Sequence, residues 1–66
     1  MNFNDKLKEL RSEKGFTAAQ VAVHLEITRA CYSMYEQGRR QPDFNTLIKI
    51  AKFFDVTTDY LLGLVD

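Results

Sequence analysis

The sequence predicts an all-α protein, a compact five-helix bundle containing a helix-turn-helix, and three observations carry that prediction. Apolar residues recur at intervals of three and four with no convincing two-residue alternation, so the repeat is helical throughout. Thr17, Thr28, Asp43 and Thr57, residue types that cap helix N-termini, stand just before these runs, and Gly15, Gly38 and Gly63 stand at their ends. The joints between runs hold only a few residues, which leaves no linker, repeat or low-complexity segment.

Taken in order, the first helix is expected to begin at Asn4 as N-cap and to carry Leu7, Leu10 and Arg11 on successive turns until Gly15 ends it. Thr17 and Gln20 are spaced as a capping box, with Phe16 and Val21 placed as a hydrophobic staple, so a second helix is predicted from about Thr17 to Leu25. Ile27-Thr28 repeats that grammar: Thr28 caps a third helix running to about Glu36, and Ile27 reaches Tyr32. Gly38 stops it, Arg39-Arg40-Gln41-Pro42 forms a loop, and Asp43 caps a fourth helix with Leu47, Ile50, Ala51 and Phe54 on one face. Asp55 leads out of it. Thr57 caps a short fifth helix stapled by Val56 and Leu61 and terminated by Gly63.

Sixty-six residues support one domain, residues 1–66, and a chain of this size buries only roughly 60% of its unfolded surface. A hydrophobic share of 45%, with five Phe and three Tyr, argues against disorder. No apolar run is long enough to span a bilayer, and Met1-Asn2-Phe3-Asn4-Asp5 lacks the basic and apolar regions of a signal peptide, so a cytoplasmic protein without a membrane partner is expected. The single cysteine, Cys31, cannot form an internal disulfide. His24 and Cys31 are the only soft metal ligands, too few for a zinc site. No nucleophile and base pair or Gly-rich phosphate loop stands out, so neither an enzyme, a cofactor nor a small-molecule substrate is expected. Net charge is zero, yet residues 1–41 carry seven Lys/Arg against five Asp/Glu and residues 42–66 two against four, a modest basic-to-acidic gradient.

Only Leu25-Glu26-Ile27 separates the second helix from the third, so the two must cross steeply. Ala22 is small enough for close approach there, and Val21, Leu25, Ile27, Tyr32 and Tyr35 provide the apolar lock. Arg29, Ala30, Ser33 and Met34 are left outward on the third helix, a short helix held from behind and shaped for a DNA major groove.

At these residues the chain resembles the phage Cro and lambda-type repressors, the XRE-like helix-turn-helix regulators. The likeness runs along the whole chain: Leu7 to Arg11, Gly15-Phe16-Thr17, Val21-Ala22 with Leu25, Tyr35 to Pro42, Thr46 to Ala51, and Val56 to Gly63. The resemblance implies a lambda-repressor-like domain that binds a palindromic operator in double-stranded DNA as a homodimer, acting as a repressor with the third helix in the major groove. It also implies a structural ion pair between Arg11 and Glu36. Three positions depart from the family pattern. Ala18 stands where a glutamine often contacts DNA, leaving only a backbone amide to do so. Met34 stands where Gln, Lys or Arg commonly reads bases, leaving apolar contact with a thymine methyl. Glu26 replaces a favoured turn glycine, which requires either a left-handed backbone or a different turn.

The basic residues therefore carry the expected DNA contacts. Arg29 is placed to fork onto a guanine or to hold a phosphate, and Arg39 and Arg40 to clamp the backbone. Thr28, Ser33 and Asn45 are lesser hydrogen-bonding candidates. Phe44, Ile48, Phe53, Leu62, Leu64 and Val65 exceed what a small core absorbs, so some are expected on the surface as a partner-binding patch. The homodimer seam is expected on the fifth helix and the tail, with Tyr60, Leu64, Val65 and Asp66 as candidates. A competing reading is a protein-interaction module of the same fold that has lost its DNA face, motivated by Ala18, Ala30, Met34 and the zero net charge.

Overall fold

The computed structural model describes residues 2–65; Met1 and Asp66, and with Asp66 one candidate for the seam, lie outside the described residues. Five helices follow one another: α1 (Phe3–Lys14), α2 (Ala18–Leu25), α3 (Arg29–Gln37), α4 (Phe44–Phe54) and α5 (Thr58–Leu61). No strand occurs among the described residues.

Each start is a side-chain cap. Thr17, Thr28, Asp43 and Thr57 accept from the backbone N–H three residues on, and Thr17 and Gln20 complete the reciprocal capping box. The first helix corrects the expectation at Asn4. Asn2 is the cap, its Oδ1 accepting from Asp5 N at 3.0 Å, and Asn4 lies inside the first turn. There the Asn4 carboxamide fills the space beside Gly38, where an added Cβ would meet Asn4 Nδ2 at 3.3 Å.

The stops share one device. Gly15, Glu26, Gly38 and Asp55 are left-handed, and the residue after each returns its N–H to a carbonyl of the last turn: Phe16 to Arg11, Ile27 to Ala22, Arg39 to Met34 and Val56 to Ala51. Phe16, Ile27 and Val56 each pack against the core and directly precede the next cap, so one apolar residue closes one helix and positions the next. Both end groups are satisfied within a joint of three residues. That brevity fixes the angle between successive helices.

The inner face of α3 packs on α1 and α2, with α2 on α3 the most extensive contact, while α4 packs on α2 and α5, and α5 also on α1. Leu7, Val21, Tyr32, Ile50 and Leu61 are fully buried at the centre, joined by Leu10, Ala22, Leu25, Tyr35, Ala51 and Phe54. Phe53, expected among the surplus apolar residues, packs against the core: its ring lies 5.1 Å from Phe16 and stacks on His24 at 4.9 Å. Phe44, Ile48, Leu62, Leu64 and Val65 remain exposed.

Candidate nucleic-acid interface

The helix-turn-helix is α2, the turn Glu26-Ile27-Thr28, and α3. Glu26 adopts φ 60° and ψ 39°, so of the two alternatives the sequence leaves open it is the left-handed backbone, without glycine, that makes the turn. Its carboxylate reaches only Lys49, at 3.7 Å, on the surface. Ala22 and Leu25 of α2 are buried against α3, whose Tyr32 and Tyr35 point inward, three residues apart. The back of α3 is thereby anchored.

Arg29, Ala30 and Met34 are exposed on α3, and Ser33 is half-exposed. Ala30 and Met34, four apart, form one strip along the helix; Arg29 and Ser33 form the adjoining one. Thr28 is exposed, and its Oγ1 accepts from Cys31 N at 3.0 Å as the cap of α3. Arg39 and Arg40 are exposed just beyond the helix C-terminus. Arg40 leans back along α3, its Nη1 3.9 Å from Cys31 Sγ, which in turn lies 3.4 Å from the Tyr35 hydroxyl. Burial, reinforced by that thiol, pushes the Tyr35 phenol up to about 12. Asn45 is exposed in the first turn of α4, on a different element from the α3 cluster. Tyr60 is half-buried, while Leu64 and Val65 lie open at the end of the described chain.

An ion pair braces this platform. Arg11 Nε donates to Glu36 Oε2 at 2.6 Å and Nη2 to Oε1 at 3.2 Å, while Nη1 donates to the Phe16 carbonyl at 3.0 Å. One guanidinium thus joins α1, the α1–α2 joint and the end of α3. The carboxylate holds the guanidinium more firmly protonated. The Tyr32 hydroxyl is buried beside this pair with no hydrogen-bond partner among the described residues, and burial drives its phenol far above the usual range. The pair's side chains retain 19% and 11% exposure, so stranding one charge costs about 2–3 kcal/mol, below the figure for a fully enclosed pair.

Lys6 is the residue that sequence reasoning missed. It is buried, its Nζ donates to the Tyr60 carbonyl at 2.8 Å, and the ammonium sits 4.5 Å from the Tyr60 ring centroid. A signal existed: Phe3, Lys6, Leu7 and Leu10 have the spacing of one helix face. Phe3, Gln41, Pro42, Phe44, Leu47 and Leu62 line an apolar recess.

The helix-turn-helix domain family matches residues 4–66. An HTH-type transcriptional regulator of Bacillus subtilis, YqaE, is 47% identical over 60 residues, covering 91% of this chain and 52% of that protein. A transcriptional regulator from Listeria innocua superimposes with a TM-score of 0.91 at 31% identity, over 98% of this chain and 61% of the other. The P22 c2 repressor, solved in complex with a synthetic operator, has a TM-score of 0.90 at 18% identity over 94% of each chain, a likeness of fold alone. The chain belongs to the helix-turn-helix regulators of the Cro and lambda-repressor (XRE) type, a family of DNA-binding transcriptional regulators and not of enzymes. It spans about half the length of YqaE.

Proposed function

We propose that this chain is the operator-binding domain of a cytoplasmic transcriptional repressor, which binds a palindromic site as a homodimer with α3 in the major groove. One observation carries the reading: α3 is buried along Tyr32 and Tyr35 and open along Arg29, Ala30 and Met34, with Arg39 and Arg40 at its far end. In this arrangement Arg29 meets a guanine edge or a phosphate at the helix start, and Arg39 and Arg40 meet the backbone beyond it. Ala18 and Asn45 contribute at most a backbone amide and a side-chain amide at the flanks. Two copies are needed because one recognition helix covers only a few base pairs, and matched half-sites then lie about 34 Å apart along the duplex. The exposed Leu62, Leu64 and Val65, with Tyr60 behind them, suit the seam between copies. The P22 c2 repressor, of the same fold, was solved on operator DNA, which supports the mode of binding. Repression follows most simply from an operator that excludes polymerase.

Gel-shift titration of the chain on its own upstream DNA tests this, with the Arg29→Ala, Arg39→Ala, Arg40→Ala triple variant alongside. The wild type is expected to lose affinity steeply as salt rises, each neutralised phosphate adding roughly 0.9 to the log–log slope. The triple variant is expected to bind weakly with a shallower slope. Equal binding by a folded triple variant contradicts the assignment, and salt-insensitive association favours a protein-interaction module instead.

A further inference from the structure

The outward face of α3 is chemically lopsided. Between residues 29 and 34 it carries one strong donor group, Arg29, one half-exposed hydroxyl, Ser33, and no carboxamide. Of the polar groups nearby, Thr28 Oγ1 caps the helix, Tyr32 and Tyr35 are buried, and the exposed Gln37 and Arg40 stand at and beyond the far end of α3, past Met34. Adenine is read in the major groove by a bidentate Asn or Gln, and no such residue is present on this stretch. What the helix offers beside Arg29 is the apolar strip of Ala30 and Met34. A long helical side chain lies back over the preceding turn, which lays the exposed Met34 thioether toward Ala30 and makes the strip continuous. The only apolar group that a base pair presents in the major groove of unmodified DNA is the C5 methyl of thymine.

We propose that Ala30 and Met34 form a methyl-reading strip, so that each half-site carries a thymine whose C5 methyl packs on Met34. A 5-methylcytosine at that position is read as thymine is. This rests on α3 entering the major groove, and it names what the helix then recognises: a guanine contact for Arg29 and, one or two base pairs away, a methyl instead of a hydrogen-bonding edge. Discrimination at that step comes from burying one methyl group, which is worth about fourfold in affinity.

The test starts from a duplex selected from a random pool by the wild-type chain. Each thymine is replaced in turn by uracil, which keeps every hydrogen-bonding group and removes only the methyl. Affinity is expected to fall about fourfold at one or two thymines per half-site and to stay unchanged at the others. Exchanging the sensitive T·A pair for C·G lowers affinity, and methylating that cytosine at C5 restores about the same fourfold factor. Met34→Ala, a favourable helix substitution at an exposed site, is expected to shrink the uracil penalty below about twofold. Tolerance of uracil everywhere overturns the proposal while leaving DNA binding intact. So does an unchanged penalty in a folded Met34→Ala variant, because the methyl then acts through duplex shape or another residue. Failure to enrich any sequence overturns the DNA-binding reading itself, and this proposal with it.

Discussion

Glu26 holds the turn of the helix-turn-helix in a left-handed conformation at φ 60°, where a side chain with a Cβ is strained by about 1–2 kcal/mol. Its surface contact with Lys49, at 3.7 Å and well exposed on both sides, offsets little of that. Glycine at this position removes the strain but adds freedom to the unfolded chain. Glu26→Gly is therefore expected to raise the unfolding free energy by about 0.5–1 kcal/mol in urea titration, with the slope unchanged. The tyrosines make a second residue-scale prediction. Burial first of all pushes Tyr35 up to about 12 and also raises Tyr32. A raised folded value means that the stabilisation is complete below the unfolded phenol value, about 10, and is lost as pH rises through the folded one. Absorbance at 295 nm is expected to show two phenols ionising only together with loss of helical circular dichroism, at pH above about 10. Ionisation of Tyr32 and Tyr35 at ordinary values in the folded chain would contradict their burial. Asp43 sets the opposite edge: its bond from Thr46 N lowers its carboxyl, so that cap is in force above the unfolded carboxylate value and weakens as pH falls through the lowered one.

At the scale of elements, capping chemistry accounts for most of what the sequence disclosed. Thr17, Thr28, Asp43 and Thr57 each announce a helix because a short oxygen-bearing side chain ahead of an apolar run satisfies a backbone N–H that nothing else reaches. At the first helix two asparagines compete. Starting at Asn2 instead of Asn4 extends α1 to include Phe3, which packs against the core, and frees Asn4 to abut Gly38. That contact joins residues 4 and 38, about half the chain apart, and no local pattern encodes it. Lys6 with Tyr60 is the same kind of case, a pairing across 54 positions in which a charged residue is buried because its ammonium meets a carbonyl and a ring face. The four-residue α5 is too short to persist alone, and Lys6 together with the buried Leu61 ties it to α1. Lys6→Met keeps the aliphatic stem and removes the charge. Its expected effect is local: amide exchange at Leu61 and Leu62 rises about tenfold or more, while amides in the middle of α2 and α4 change little. Uniform acceleration across all helices would mean that Lys6 supports the core as a whole and not α5 in particular.

For the whole molecule, the consequence of these joints is a division of labour between faces. With a three-residue turn before it, α3 holds its tyrosines inward, and the ion pair of Arg11 with Glu36 secures the end of that helix to α1. The outward face of α3 was legible in part from spacing, since Ala30, Ser33 and Met34 are not three or four residues from the buried Tyr32; Arg29 is three from it and is exposed as the first residue of the helix. The chemistry on that face was less so: Thr28 is the cap its spacing predicts, but that Arg40 folds back toward Cys31 depends on a distance no spacing rule supplies. The exposed Phe44, Leu62, Leu64 and Val65 stand in different elements, and only the fold gathers Phe44 and Leu62 around one recess.

The proposed DNA-binding surface is the Arg29 to Met34 face of α3 with Arg39 and Arg40. Amide chemical-shift mapping by NMR, titrating a selected duplex into the labelled chain, tests it most directly. The largest perturbations are expected from Thr28 to Met34 and at Arg39 and Arg40, with the backs of α1 and α4 silent. Perturbations centred on Phe44, Leu47 and Leu62, with α3 unchanged, would contradict it.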